Sequence, residues 1–393
     1  MTISCVFSKG ESMNRFSIHL LAFGIVLLCV SSSNIFSAEP SPRKSSSPAG
    51  IKAKTQAGTP VRMILFDTMG GVVPTPEFVA ANYPWIEKER GFFDGMFIRF
   101  KSSFRVMKAA PLDYNTAAAD VAPLKGLRFT ALKHNFAMVY NDSAADVFDD
   151  WSVVIKNWAT FARTAKEAGF EGIFFDNEEY FKHWTNYPDY CKYPEKSLKE
   201  YQDQVRLRGK QVMQSVAAEW PNVVVITAHG PSVSEPKAPA SVFPQWQFAN
   251  ELKGPFFVGF LEGMGEQALN VDGGELYTLR TPEEFEAAYQ FQKFGIASDA
   301  TDCAFIPPDL RKSYGSRISA SYGVYNQPFR GKTMDAAQFG ETALNALIRA
   351  DHYIWIYPEK TTFLKPDGIG QDWVDAMRKA KETYLNTLPG VRF

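Results

Sequence analysis

Neither sign of charge is in excess in this chain. Its 393 residues carry 42 Lys and Arg against 43 Asp and Glu, a formal net charge of -1. A protein that grips nucleic acid or an acidic membrane concentrates positive charge, so neither partner is expected. Cysteine is scarce, with four residues and no metal-type spacing. Histidine is equally scarce, and no His-x-His or His-Glu-x-x-His pattern occurs among the five. No cofactor and no metal are therefore expected. A glycine-rich phosphate loop, of either the dinucleotide or the P-loop type, is also missing, which counts against an open nucleotide-binding sheet. Aromatic residues, by contrast, make up 14% of the chain. Most belong in a core, and the surplus suits a carbohydrate ligand, whose rings present apolar faces.

The N-terminus reads as an export signal. Arg15 and His19 precede or open an apolar stretch from Leu20 to Val30, followed by Ser31 to Asn34 and the small residues Ser37 and Ala38. That stretch is short for a membrane span. Residues 1–38 are taken as a signal peptide and 39–60, rich in Ser, Pro, Ala, Gly and Lys, as a flexible linker. The mature protein is expected to be secreted or periplasmic, free of the membrane and monomeric. Cys191 and Cys303 then remain, either as one disulfide or as two thiols.

From residue 61 to 393, strand and helix signals alternate, which predicts a single (β/α)8 TIM barrel. The expected strands are Arg62–Asp67, Gly95–Phe100, Arg128–Lys133, Ile173–Phe175, Asn222–Thr227, Phe256–Leu261, Ile318–Tyr325 and His352–Tyr357. Helices are expected over Trp151–Ala168, Leu198–Trp220, Pro282–Phe294, Ala336–Ala350 and from Gln371 to about Leu388. Asn270–Leu279 is a further strand candidate.

The segment Gly169 to Tyr180 is the most telling. Its short apolar run, Ile173 to Phe175, stops at Asp176-Asn177-Glu178-Glu179-Tyr180. Ligands meet parallel α/β folds at the carboxyl ends of strands. Side chains alternate along a strand, so Asp176 and Glu178 should share one face, and Asn177 and Glu179 the other. Two carboxylates on one face push one pKa upward, and a protonated acid beside an ionised one is what glycosidic cleavage needs. Polar residues also end the other expected strands: Asp67, Lys133 with His134 and Asn135, His229, Glu262 and Glu359. Each has a structural explanation by itself, as a turn cap, a satisfied loop histidine or a surface pair. Their recurrence at one end of many strands is what makes them site candidates.

Here the chain resembles the barrel glycoside hydrolases. Asn177-Glu178 is similar to the Asn-Glu pair that ends strand four in the large retaining clan, where the glutamate is the acid/base and the asparagine holds the sugar 2-hydroxyl. Glu171-Gly172-x-x-x-Asp176-x-Glu178 resembles the chitinase signature, whose last glutamate is the acid. Phe175-Asp176-Asn177 resembles the α-galactosidase clan, whose aspartate is the nucleophile and whose second carboxylate comes from strand six. The resemblance implies a glycoside hydrolase with Glu178 as general acid/base. Strand seven carries no carboxylate, so the partner is sought in Glu262 first, then Glu359, then Asp176.

Substrate contacts are expected from Asp67, Lys133, His134, Asn177, Glu179, Tyr180, His229, Tyr325, Trp355 and Tyr357. Trp184, Trp246 and Tyr277 are further aromatic platforms, and Trp355 has an equal claim to the barrel core. Arg99, Lys133, His134 and His229, if gathered at one mouth, suit an anionic sugar. Two rival readings stay open: a metal-dependent barrel hydrolase using Asp67, His134, Asp176, Glu178 and His229, and a carbohydrate-binding barrel without catalysis.

Overall fold

Nine short parallel strands pair in the order β7-β6-β5-β4-β3-β2-β1-β9-β8. They are β1 Arg62–Leu65, β2 Gly95–Ile98, β3 Phe136–Tyr140, β4 Gly172–Asp176, β5 Val224–Thr227, β6 Leu269–Asp272, β7 Ile318–Ala320, β8 Tyr322–Tyr325 and β9 Tyr353–Tyr357. The last two partners of the series are one strand interrupted at Ser321. Its first half pairs with β6 and its second half with β9, which closes the sheet on itself. The result is an eight-membered parallel barrel. The computed structural model describes residues 59–388 apart from 143–144, 181–182, 236–237, 244–250, 299–304 and 327–332. All of these belong to the compact unit Lys52–Phe393. The expected leader, nearly all of the linker, Trp246 and Cys303 lie outside the described residues, while Cys191 is a free, half-buried thiol.

Ten helices were identified among the described residues: α1 Pro76–Arg90, α2 Tyr114–Val121, α3 Ser152–Glu167, α4 Leu198–Glu219, α5 Lys253–Gly263, α6 Pro282–Gln290, α7 Pro308–Arg311, α8 Tyr314–Arg317, α9 Ala336–Arg349 and α10 Gln371–Thr387. Their starts follow local chemistry. Ser197, Thr281 and Asp335 cap α4, α6 and α9 in reciprocal capping boxes with Glu200, Glu284 and Gln338. None is long and apolar enough to cross a membrane.

Strand alternation divides the core in two. Ile64, Phe97, Met138, Phe174, Ile226, Val271 and Trp355 point into the barrel, where Phe97 and Phe174 stack at 4.0 Å. Met63, Leu65, Ile173, Phe175 and Val225 point outward against the helices. This parity positions the site. Because Phe174 faces inward, Asp176, two residues on, faces the barrel mouth; Trp355 does the same for Tyr357.

Two expected strands are corrected. Arg128–Lys133 is a loop, and the strand is Phe136–Tyr140. The Glu87 carboxylate accepts the backbone N–H groups of Thr130 at 2.7 Å, Ala131 at 3.0 Å and Leu132 at 2.9 Å, so they serve no ladder. Phe256–Leu261 lies inside α5, and the sixth strand is Leu269–Asp272, at the start of the further candidate segment. A short apolar run buried on all sides reads alike as strand or helix. Gly259 shows why it is a helix packed tightly on α4: a Cβ there would lie 2.1 Å from the Arg206 carbonyl oxygen.

Candidate active site

A 460 Å³ cavity opens at the carboxyl ends of the strands. Four carboxylates line it: Asp176 and Glu178 after β4, Glu275 after β6 and Glu359 after β9. Tyr140, Tyr180, Tyr277, Tyr325 and Tyr357 supply hydroxyls, and Arg99 is the cation in the wall. A larger groove, of 610 Å³, lies between α9 and α10 on the barrel's outer face, away from the strand ends.

The carboxylates beyond β4 and β6 are crowded. The Tyr180 hydroxyl lies 3.1 Å from Asp176 Oδ2 and 2.5 Å from Glu178 Oε2. His229 Nε2 lies 3.5 Å from both Glu178 Oε1 and Glu275 Oε2. Glu178, His229 and Glu275 each bring a polar atom within 4.8 Å of the others. Gly274 makes this approach possible. Its φ is +57°, and a Cβ would lie 1.9 Å from the Ser321 carbonyl oxygen, so the turn that delivers Glu275 needs glycine.

Crowding sorts the protons. Burial, and next the charge of Glu178, push Asp176 up to about 8. Burial, with the charges of Glu178 and Asp176, raises Glu275 well above the usual carboxylate range. Burial alone would also raise Glu178, but the hydrogen bond from His229, the Tyr180 hydroxyl and the Lys253 charge hold it down at about 2. Burial lowers His229, opposed by its hydrogen bond to Glu178, and both that hydrogen bond and the imidazole's charge act on Glu178. A hydroxyl has one hydrogen. The Tyr180 hydroxyl is directed at both carboxylates, and its single hydrogen serves one of them at a time.

The expected site residues divide clearly. Asp176, Glu178, Tyr180, Tyr277, Tyr325, Tyr357 and Glu359 line the cavity, and the Tyr325 hydroxyl donates to Glu359. His229 is buried behind the carboxylates. Asn177 is at the same strand end, but its amide is spent on His229, accepting from its N–H and donating to its carbonyl, both at 2.8 Å. The side chain is buried and does not line the cavity. Glu179 is likewise taken by Thr185, through the backbone N–H at 2.9 Å and the hydroxyl. Asp67 anchors the loop after β9 by accepting from Thr362 Oγ1 and the Phe363 N–H, both at 2.8 Å, and burial raises it to about 7.

Other expectations fail on placement. Glu262 ends α5 and pairs with Arg206 at 3.5 Å on the outer layer. Lys133 and His134 precede β3, at the opposite end of the barrel; Lys133 is exposed and His134 Nδ1 meets Glu171 at 3.2 Å. Trp355 belongs to the core beneath the cavity, its indole donating to the Gly273 carbonyl at 2.7 Å. Trp184 is buried between Trp151 and Phe256 outside the barrel. The cation set that would suit an anionic sugar is thus dispersed.

Glu275 and Lys253 were not singled out from the sequence. The former had a usable signal: Val271-Asp272-Gly273-Gly274-Glu275 repeats the pattern of an apolar run ending in acids, as on β4. Lys253 lies just before the misread strand Phe256–Leu261 and gave none. Glu178, His229 and Glu275 have the number and type of atoms found in catalytic zinc sites. Buried Lys253 adds a smaller favourable charge to Asp176, Glu178 and Glu275, the weakest of the influences on each. With protons sorted between Glu178 and Glu275, the trio is read as a proton-handling group.

No protein-family model matches the chain, and no curated protein matches its sequence. Among solved structures, the 3-keto-D-glucoside 4-epimerase of E. coli is 15% identical, with a TM-score of 0.42 over 81% of this chain and 98% of that one. A family GH18 chitinase from Chromobacterium violaceum is 10% identical, with a TM-score of 0.44 over 86% and 87%. A GH27 β-L-arabinopyranosidase from Geobacillus stearothermophilus is 9% identical, with a TM-score of 0.41 over 83% and 77%. Likeness at this level assigns no residue and no reaction; the barrel is established by its own strand pairing.

Proposed function

We propose that the protein is a glycoside hydrolase in which Glu178 is the ionised nucleophile or base and Glu275 the proton donor. One observation carries the reading. Two carboxylates from different strands face one cavity with oxygens within 4.8 Å, and their surroundings drive their pKa values apart. Paired carboxylates with opposed protonation are the acid and base of glycosidic cleavage. Their closeness favours the retaining arrangement, in which the carboxyl groups stand about 5 Å apart, over the inverting one at about 6.5–9.5 Å.

In that mechanism Glu275 gives its proton to the leaving oxygen while Glu178 attacks the anomeric carbon. Water then releases the sugar as Glu275 takes a proton back. His229 and Tyr180 keep Glu178 oriented and ionised. This exchanges the role first expected of Glu178, because its neighbours donate to it. The substrate is proposed to be a neutral oligo- or polysaccharide, and the enzyme an exported monomer, the export resting on the leader sequence. A screen of purified protein on a broad glycoside and polysaccharide panel, with Glu178→Gln and Glu275→Gln as controls, tests the assignment. Turnover with NMR-observed retention in the wild type, lost in both variants, is the expected result. Full activity in either variant would sink it.

A further inference from the structure

We propose that Met69, Phe104 and Tyr180 form an outer lip that binds the leaving half of the substrate through a flat apolar face. The ligand is an aryl aglycone or the C–H face of the next pyranose; the inference rests on the glycosidase reading above. Large apolar side chains are rarely exposed among the described residues. Among the described residues the exposed ones include Met69 at 63%, Phe104 at 36% and Tyr180 at 55%, and these three line the same cavity. They come from separate segments, after β1, β2 and β4, so chain proximity does not explain the gathering. Scattered exposed apolar side chains need no explanation, whereas a group at a cavity mouth marks a contact surface.

The geometry gives the lip a direction. Tyr180 turns its hydroxyl inward to Asp176 and Glu178, so its exposed ring leads outward from the reacting centre. Phe104 is held in place by stacking on Tyr140 at 4.4 Å with planes 2° apart. The far half of the cavity has the opposite character. Tyr277, Tyr325 and Tyr357 stack on one another at 4.5 and 5.3 Å, so their faces are largely occupied and their edges, with Glu359, are what remains for a ligand. That half suits the hydroxyl-rich glycone, leaving the apolar lip for the group that departs.

Binding rather than turnover tests this, because an aryl group is also a better leaving group. Phenyl and methyl 1-thioglycosides of glucose, galactose, mannose and xylose, in both anomers, are titrated calorimetrically against the full protein. Thio-linked disaccharides form a second arm that separates a sugar face from an aryl face. At least one phenyl member should bind about tenfold more tightly than its methyl partner. The preference should fall to near unity in a Met69→Ala/Phe104→Ala double variant and weaken in Met69→Ala alone, whose side chain is mostly solvent-exposed. Equal affinity for phenyl and methyl members, no binding by any phenyl member, or a preference that survives both substitutions would overturn the lip. The glycoside screen is scored separately. Turnover without an aryl preference refutes the lip alone, and an aryl preference lost on substitution, without turnover, supports the lip while refuting hydrolysis.

Discussion

The two ends of the barrel use the same residue types to opposite effect. At the amino-terminal end, Glu171 accepts from Arg62 at 2.6 Å and Tyr353 at 2.9 Å and meets His134 at 3.2 Å. Burial would raise this carboxylate, but His134, Arg62 and Tyr353 hold it at about 2. One acid has three favourable partners, and the network is satisfied. At the carboxyl end, Glu178 also has a tyrosine and a histidine, yet it shares them with two further carboxylates. A glutamate, a histidine and a tyrosine in contact are therefore no signature of catalysis. Burial first, and then the excess of acids over partners, keeps protons on Asp176 and Glu275.

Four experiments bear on that contrast. The largest effect is expected from the mouth: Glu178→Gln or Glu275→Gln should lower kcat by about 10²–10⁴-fold with little change in thermal stability, read by steady-state kinetics. Glu171→Gln should do the reverse, costing about 2 kcal/mol in urea unfolding while the folded enzyme keeps its turnover. A catalytic collapse on that substitution would mean the two ends are not separable.

The pH dependences should also have opposite signs. Glu171 has an ordinary value of 4.5 unfolded and about 2 folded, so its contribution is complete above pH 4.5 and is lost as pH falls toward 2. Asp176 goes from 3.8 to about 8, so the folded state binds more protons in that window and stability drops as pH rises through it. Asp176→Asn should accordingly gain stability over the wild type at pH 8 and not at pH 4, measured by denaturation at both. A gain independent of pH would remove the crowding argument. The smallest expected effect is from exhaustive chelation, which should leave turnover unchanged because the proposed mechanism runs on the Glu178–Glu275 carboxylate pair alone. Loss of activity restored by a divalent cation would turn the Glu178–His229–Glu275 group into a metal site.

Much of the barrel was legible because period and punctuation agree. Five of the expected strands and the long helices stand within a few residues of their places, and the interrupted seventh, Ile318–Tyr325, closes the barrel. Failure came where two signals compete. Arg128–Lys133 alternates like a strand, but Glu87 captures its N–H groups. Phe256–Leu261 is apolar on all sides, and only its packing against α4 makes it a helix. Both errors moved site candidates: the first placed Lys133 and His134 at the mouth, the second made Glu262 the partner and hid Glu275.

The sequence by itself determined that β4 ends in acids and, through strand alternation, that Asp176 and Glu178 share a face. The tertiary structure alone decided which acid stands opposite Glu178 and which of them keeps its proton. A pKa is set by burial and by charges a few ångströms away. Glu178, His229, Lys253 and Glu275 span 98 positions of chain and become neighbours only when the barrel closes.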